Sequence, residues 1–98
     1  MARILLAEDD QSMREFLTRA LERSGHEVTA VADGLSALDA VSERAYDLLI
    51  ADIVMPGIDG IEVSRQASKV NADLKVLFIT GFAAVAMSAR EEMGDTKV

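Results

Sequence analysis

Leu48–Gly60 reads LLIADIVMPGIDG, and this stretch decides the fold. Four strand-forming apolar residues, Leu48 to Ala51, run without interruption into Asp52. Within a few residues the strand vocabulary gives way to Met55, Pro56, Gly57 and Gly60. An apolar run of this kind is covered on both faces, as a central strand of a parallel sheet is. In such sheets ligands sit beyond the carboxyl ends of the strands, so Asp52 is a carboxylate delivered to a functional edge and the first candidate site residue.

Working outward from it, Arg3–Ala7 is a shorter apolar run that stops abruptly at Glu8, Asp9 and Asp10. It predicts a first strand with three acids at its exit. From Ser12 the period changes: Met13, Phe16, Leu17, Ala20 and Leu21 recur every three or four residues, the face of a helix capped by Asp10 or Ser12 and stopped at Gly25. Glu27 to Ala32 alternates weakly, as a strand at a sheet edge does. Asp33 and Gly34 turn the chain into a second helix carrying Leu35, Leu38, Val41 and the alanines at 37, 40 and 45. Beyond the opening stretch, Ile58, Ile61, Val63, Ala67 and Val70 predict the apolar face of a third helix beginning near Gly60. Val76–Ile79 is a further strand ending in Thr80 and Gly81, and Phe82–Met93 is helix-competent. The order βαβαβαβα predicts an α/β doubly wound parallel sheet, with right-handed crossovers placing helices on both faces. Four strands leave that pattern one unit short, so a fifth strand and last helix are expected beyond Val98, and residues 1–98 are expected to be one domain incomplete at its carboxyl end.

Composition bounds the function. The chain has 98 residues, half of them hydrophobic and 28% charged, an ordinary globular mixture. Seventeen acids against ten bases, a net charge of -7, argue against nucleic acid as a partner and for a basic or metal-bearing one. With no cysteine there are no disulfides, thiolate chemistry or cysteine zinc sites. No run approaches the ~20 apolar residues of a membrane span, and the acids from Glu8 onward do not suit a signal peptide. The expected location is the cytoplasm.

Glu8, Asp9 and Asp10 leave the first strand, Asp52 the third and Thr80 the fourth, all on one edge of a parallel sheet. Crowded carboxylates raise one another's pKa unless a hard cation holds them, and magnesium takes oxygen ligands and shares phosphate oxygens. Asp52 beside the Thr80 hydroxyl and Gly81 suits an acceptor site for a phosphoryl group. Plainer roles compete. Asp10 caps the first helix in one reading, Thr80 is a turn or cap residue in another, and Gly57 and Gly60 serve the turn and the helix entry. His26, the only histidine, reads as an ordinary surface residue at the opposite edge from the acids.

These residues carry a resemblance. ILLAEDDQSMR, LLIADIVMPGIDGIE and LFITGFA resemble the receiver domain of two-component response regulators across the whole chain. The resemblance implies a flavodoxin-like sheet of strand order 2-1-3-4-5. It implies Asp52 as phospho-acceptor, Asp9 as direct Mg2+ ligand, Glu8 as a companion acid acting through water, Val54 as the residue lending a backbone carbonyl to the metal, and Thr80 as the switch hydroxyl. The implied partner is a histidine phosphotransfer protein or sensor histidine kinase. Catalysis is then confined to the chain's own phosphorylation and dephosphorylation, so the protein is not an enzyme in the ordinary sense. Two features of the family have no match: the lysine and the aromatic switch residue of the fifth strand. Without that lysine the phosphorylated state is expected to be poorly stabilised. The opening and ITGFAAVA further resemble a group of single-domain alphaproteobacterial receivers that control cell-cycle proteolysis by ClpXP. That implies ClpX or protease substrates as partners, recruitment to a cell pole and a monomer when intact. The rival expectations are the receiver of a larger transcriptional regulator and a docking module independent of phosphorylation. A phosphatase lacks an evident general acid, and EDD in place of GxGxxG disfavours a dinucleotide site.

Overall fold

The computed structural model describes residues 1–79. Thr80 and Gly81, the helix expected over Phe82–Met93 and the place of a fifth strand lie outside the described residues. Seven elements follow in the expected order: β1 (Arg3–Ala7), α1 (Gln11–Arg23), β2 (Glu27–Val31), α2 (Gly34–Glu43), β3 (Leu48–Asp52), α3 (Gly60–Val70) and β4 (Lys75–Ile79). All strand pairs are parallel, and the sheet order is β2-β1-β3-β4. This is the flavodoxin-like order as far as the described strands reach, and it makes β1 and β3 neighbours.

Register explains the two-sided core. Leu5 pairs with Leu49 and Ala7 with Ala51, so these side chains share one face. They are buried there with Ala37 and Val41 of α2 and Val63 and Ala67 of α3. Ile4, Leu6 and Ile50 point the other way, where Leu17 and Leu21 of α1 pack on them. Glycine permits the tight approach of the α2 and α3 entries. A Cβ on Gly34 would lie 2.6 Å from the Ile58 carbonyl oxygen, and one on Gly60 would lie 2.3 Å from that of Asp52. Gly57, at φ +79°, makes the left-handed turn of the β3–α3 loop.

Several residues expected in the core are outside it. Phe16, Leu35, Ile61 and Val70 are exposed, and no residue of α1 is fully buried. Helical spacing identifies an apolar stripe, but burial needs an element opposite it. In α3, Val63 and Ala67 occupy the sheet-facing side, and Ile61 lies well round the helix from them. Leu77 and Phe78 are also exposed, although their strand reads as a continuous apolar run. β4 is the outermost described strand and pairs on one side only.

Candidate metal centre

β1 and β3 run side by side in register from Ile4 with Leu48 to Ala7 with Ala51, so the next residues leave the sheet together. One carboxylate oxygen each from Glu8, Asp9 and Asp52 lies within 4.8 Å of the others. Glu8 is 4% and Asp52 8% exposed, while Asp9 is open to solvent. The expected trio therefore converges on the edge, with two acids sunk into it and one at its mouth.

Backbone and side-chain bonds fix the pieces. The Asp10 amide donates to Glu8 Oε2 at 2.9 Å, and the Val54 amide donates to Asp52 Oδ1 at 3.2 Å. Val54 is thus tied directly to the acid it follows, with its side chain exposed beside the site. Asp10 itself stands apart from the trio. Its carboxylate accepts from the Met13 amide at 2.8 Å and caps α1, so of the two roles open to it the capping one holds, and Ser12 is the second residue inside the helix. Asp33 and Asp59 cap α2 and α3 in the same way. His26 lies at the far end of the sheet as expected, but it is half-buried and its Nδ1 accepts the Ala2 amide at 3.0 Å.

One residue bonded to the backbone of the site escaped the reading of the sequence. Arg14 of α1 reaches back, its Nη1 donating to the Glu8 carbonyl at 2.9 Å and to that of Asp9 at 3.5 Å. Helical periodicity classes it as one of the polar residues on the wet face. Its distance of six residues from Glu8, across a cap, was the available signal.

The electrostatics fit a hard cation. Burial pushes Glu8 from the ordinary 4.5 up to about 7. The bond from the Asp10 amide opposes that rise, while the charge of Asp52, a hydrogen bond with Asp52 and the charge of Asp9 add to it. Crowding of acids was expected to raise a pKa; desolvation proves the larger cause. Among the described residues none of the three acids forms an ion pair with a basic side chain. An all-oxygen donor set with uncompensated charge and one solvent-facing member suits Mg2+, which takes carboxylate oxygens and keeps several waters. Glu8, Asp9 and Asp52 are the side chains that would hold it. Thr80, the remaining expected site residue, lies outside the described residues.

A parallel 2-1-3-4 sheet that carries such a trio on the exits of two central strands defines an acid-edged α/β module. The response regulator receiver domain model matches residues 4–94, and the chain belongs to that family. It is 54% identical over 88 residues to the response regulator receiver protein CpdR of Brucella abortus, which covers 90% of this chain and 73% of that one. It is 41% identical over 78 residues to the response regulator MprA of Mycobacterium avium, covering 80% of this chain and 34% of the relative, so the match spans about a third of that longer protein. Among solved structures, the response regulator TrrA of Thermotoga maritima, in complex with Mg(2+)-BeF, superposes with a TM-score of 0.79 at 36% identity, covering 89% of this chain and 76% of that one. The chain is accordingly a receiver of two-component phosphorelay signalling, served by a kinase or phosphotransfer partner, and a switch whose catalysis is confined to its own phosphorylation and dephosphorylation.

Proposed function

We propose that Asp52 is the phospho-acceptor. The carrying observation is the meeting of Glu8, Asp9 and Asp52 within 4.8 Å at the mouth of the sheet. The Val54 amide holds Asp52 Oδ1 and so fixes the carboxylate plane, leaving the second oxygen to attack phosphorus in line. The P–N bond to a partner's phosphohistidine breaks as the P–O bond forms, and the imidazole nitrogen keeps the electron pair. Mg2+, when bound, supplies neutralisation of the phosphoryl oxygens. Asp9 would hold the ion directly and Glu8 through water, with the Asp52 carboxylate and the Val54 carbonyl completing the protein's share. Thr80 hydrogen-bonds a phosphoryl oxygen in the product and carries the switch. The likeness to TrrA supports this reading, since BeF groups are stand-ins for phosphoryl on a carboxylate. Labelling by a phosphohistidine donor tests it: the parent takes up phosphoryl only with Mg2+, and Asp52→Asn takes up none. Equal labelling of Asp52→Asn contradicts it.

The resemblance to single-domain alphaproteobacterial receivers, and the identity to CpdR, support a finer reading. The phosphorylation-sensitive surface governs delivery of substrates to the ClpXP protease, in the cytoplasm and at a cell pole, the unphosphorylated form being the active adaptor. Reconstituted degradation that slows when the phosphodonor and Mg2+ are added is the expected result. Degradation indifferent to this protein contradicts it. The MprA match, which spans about a third of that regulator, favours a second reading as the receiver of a larger transcriptional regulator. A DNA-binding module encoded after Val98 would establish it.

A further inference from the structure

Arg14 makes no ion pair among the described residues, although it bonds to the backbone of two of the three acids. Its Nη1 instead donates to two main-chain carbonyls, those of Glu8 at 2.9 Å and Asp9 at 3.5 Å. Those two residues form the turn by which β1 leaves the sheet, and both carry members of the carboxylate trio. At the other end, the Arg14 amide donates to the Asp10 carbonyl at 2.9 Å, and the Asp10 side chain caps the same helix. The turn is thereby clamped to the first turns of α1 at three successive residues.

We infer that Arg14 is a positioning residue for the metal centre, acting through the backbone of Glu8 and Asp9 and not by contact with the ion. The inference rests on the reading of the trio as a Mg2+ site. Both bonds come from one nitrogen, Nη1, whose place and N–H directions the planar guanidinium fixes; a lysine ammonium keeps the charge but ends short of the Nη1 position on a flexible stem. Geometry and charge therefore make opposite forecasts. Removing a cation from beside an acidic site strengthens Mg2+ binding if the charge alone matters. Loosening the turn that aims Asp9 weakens binding if position matters, and loss of a group that orients ligands weakens metal affinity on the order of tenfold.

The test is Mg2+ titration of the intact protein, Arg14→Lys and Arg14→Ala, followed by the amide NMR shifts of residues 8, 9 and 52 well below each protein's melting temperature. Both variants are expected to bind Mg2+ on the order of tenfold more weakly than the parent, with the Asp9 amide shifted before any metal is added. Affinity that is unchanged or tighter in Arg14→Ala, or unchanged in Arg14→Lys, overturns the inference. So does a fall in melting temperature with Mg2+ affinity intact, which is what a merely structural contact gives. A parent that shows no Mg2+-dependent shifts overturns the metal site itself, and the inference with it.

Discussion

Glu8 carries the electrostatic cost of the site. Its folded pKa of about 7 lies above the ordinary 4.5, so between those values the folded chain binds a proton that the unfolded chain does not. This contribution to stability is fully present below the unfolded value and is lost as pH rises through 7. The metal-free protein is therefore expected to melt at a lower temperature at pH 8 than at pH 5.5, and Glu8→Gln is expected to flatten the difference. Added Mg2+ competes for the ionised form, so it stabilises more at pH 8 than at pH 5.5. A metal-free protein that gains stability steadily from pH 5.5 to 8 contradicts this. Gly60 makes a second residue-scale prediction. Its missing Cβ leaves room for the Asp52 carbonyl, 2.3 Å from where that carbon would sit, so Gly60→Ala must shift the exit of β3. A loss of ~1–3 kcal/mol in denaturant unfolding is expected, with weaker Mg2+ binding. The trio was legible in the sequence because acids that directly follow apolar strands have only one place to go in a parallel sheet. Arg14 was not, because its role lies in two backbone carbonyls and side-chain patterning says nothing of those.

Among the elements, the three described helices start alike, each on an aspartate whose carboxylate accepts an amide three residues on. For α1 this separates Asp10 from Glu8 and Asp9, which sequence adjacency had grouped together. Asp10→Ala is expected to cost ~1 kcal/mol of stability by thermal or denaturant melts. It should leave Mg2+ affinity unchanged, since the Asp10 amide that bonds Glu8 belongs to the backbone. A large loss of metal affinity would return Asp10 to the ligand set. Strand boundaries were close to legible because β1 and β3 are buried along nearly their whole length. Helix faces were less so: Phe16, Leu35, Ile61 and Val70 sit at helical spacing but have no partner on their side among the described residues. Periodicity records what a helix offers, and burial records what meets it.

At the scale of the molecule, two opposed faces of one sheet support the site from below. Leu5, Leu49 and Val63 are fully buried on one side and Ile4 and Leu6 on the other. The strands that deliver Glu8, Asp9 and Asp52 are thus packed on both faces. Leu5→Ala is expected to destabilise by ~2–5 kcal/mol without changing which residue accepts phosphoryl. Mg2+ that binds only the folded chain raises stability by RT ln(1 + [L]/Kd), about 2.7 kcal/mol at a hundred times Kd, and the melting temperature should climb accordingly. Borohydride trapping after exposure to a phosphodonor and Mg2+, read by peptide mass, names the acceptor outright, because reduction converts an aspartyl phosphate to homoserine. Homoserine at position 52, absent when Mg2+ is chelated, is the result expected of carboxylates gathered around one cation. Homoserine at position 9 or 10, or trapping at 52 that is indifferent to Mg2+, would contradict it.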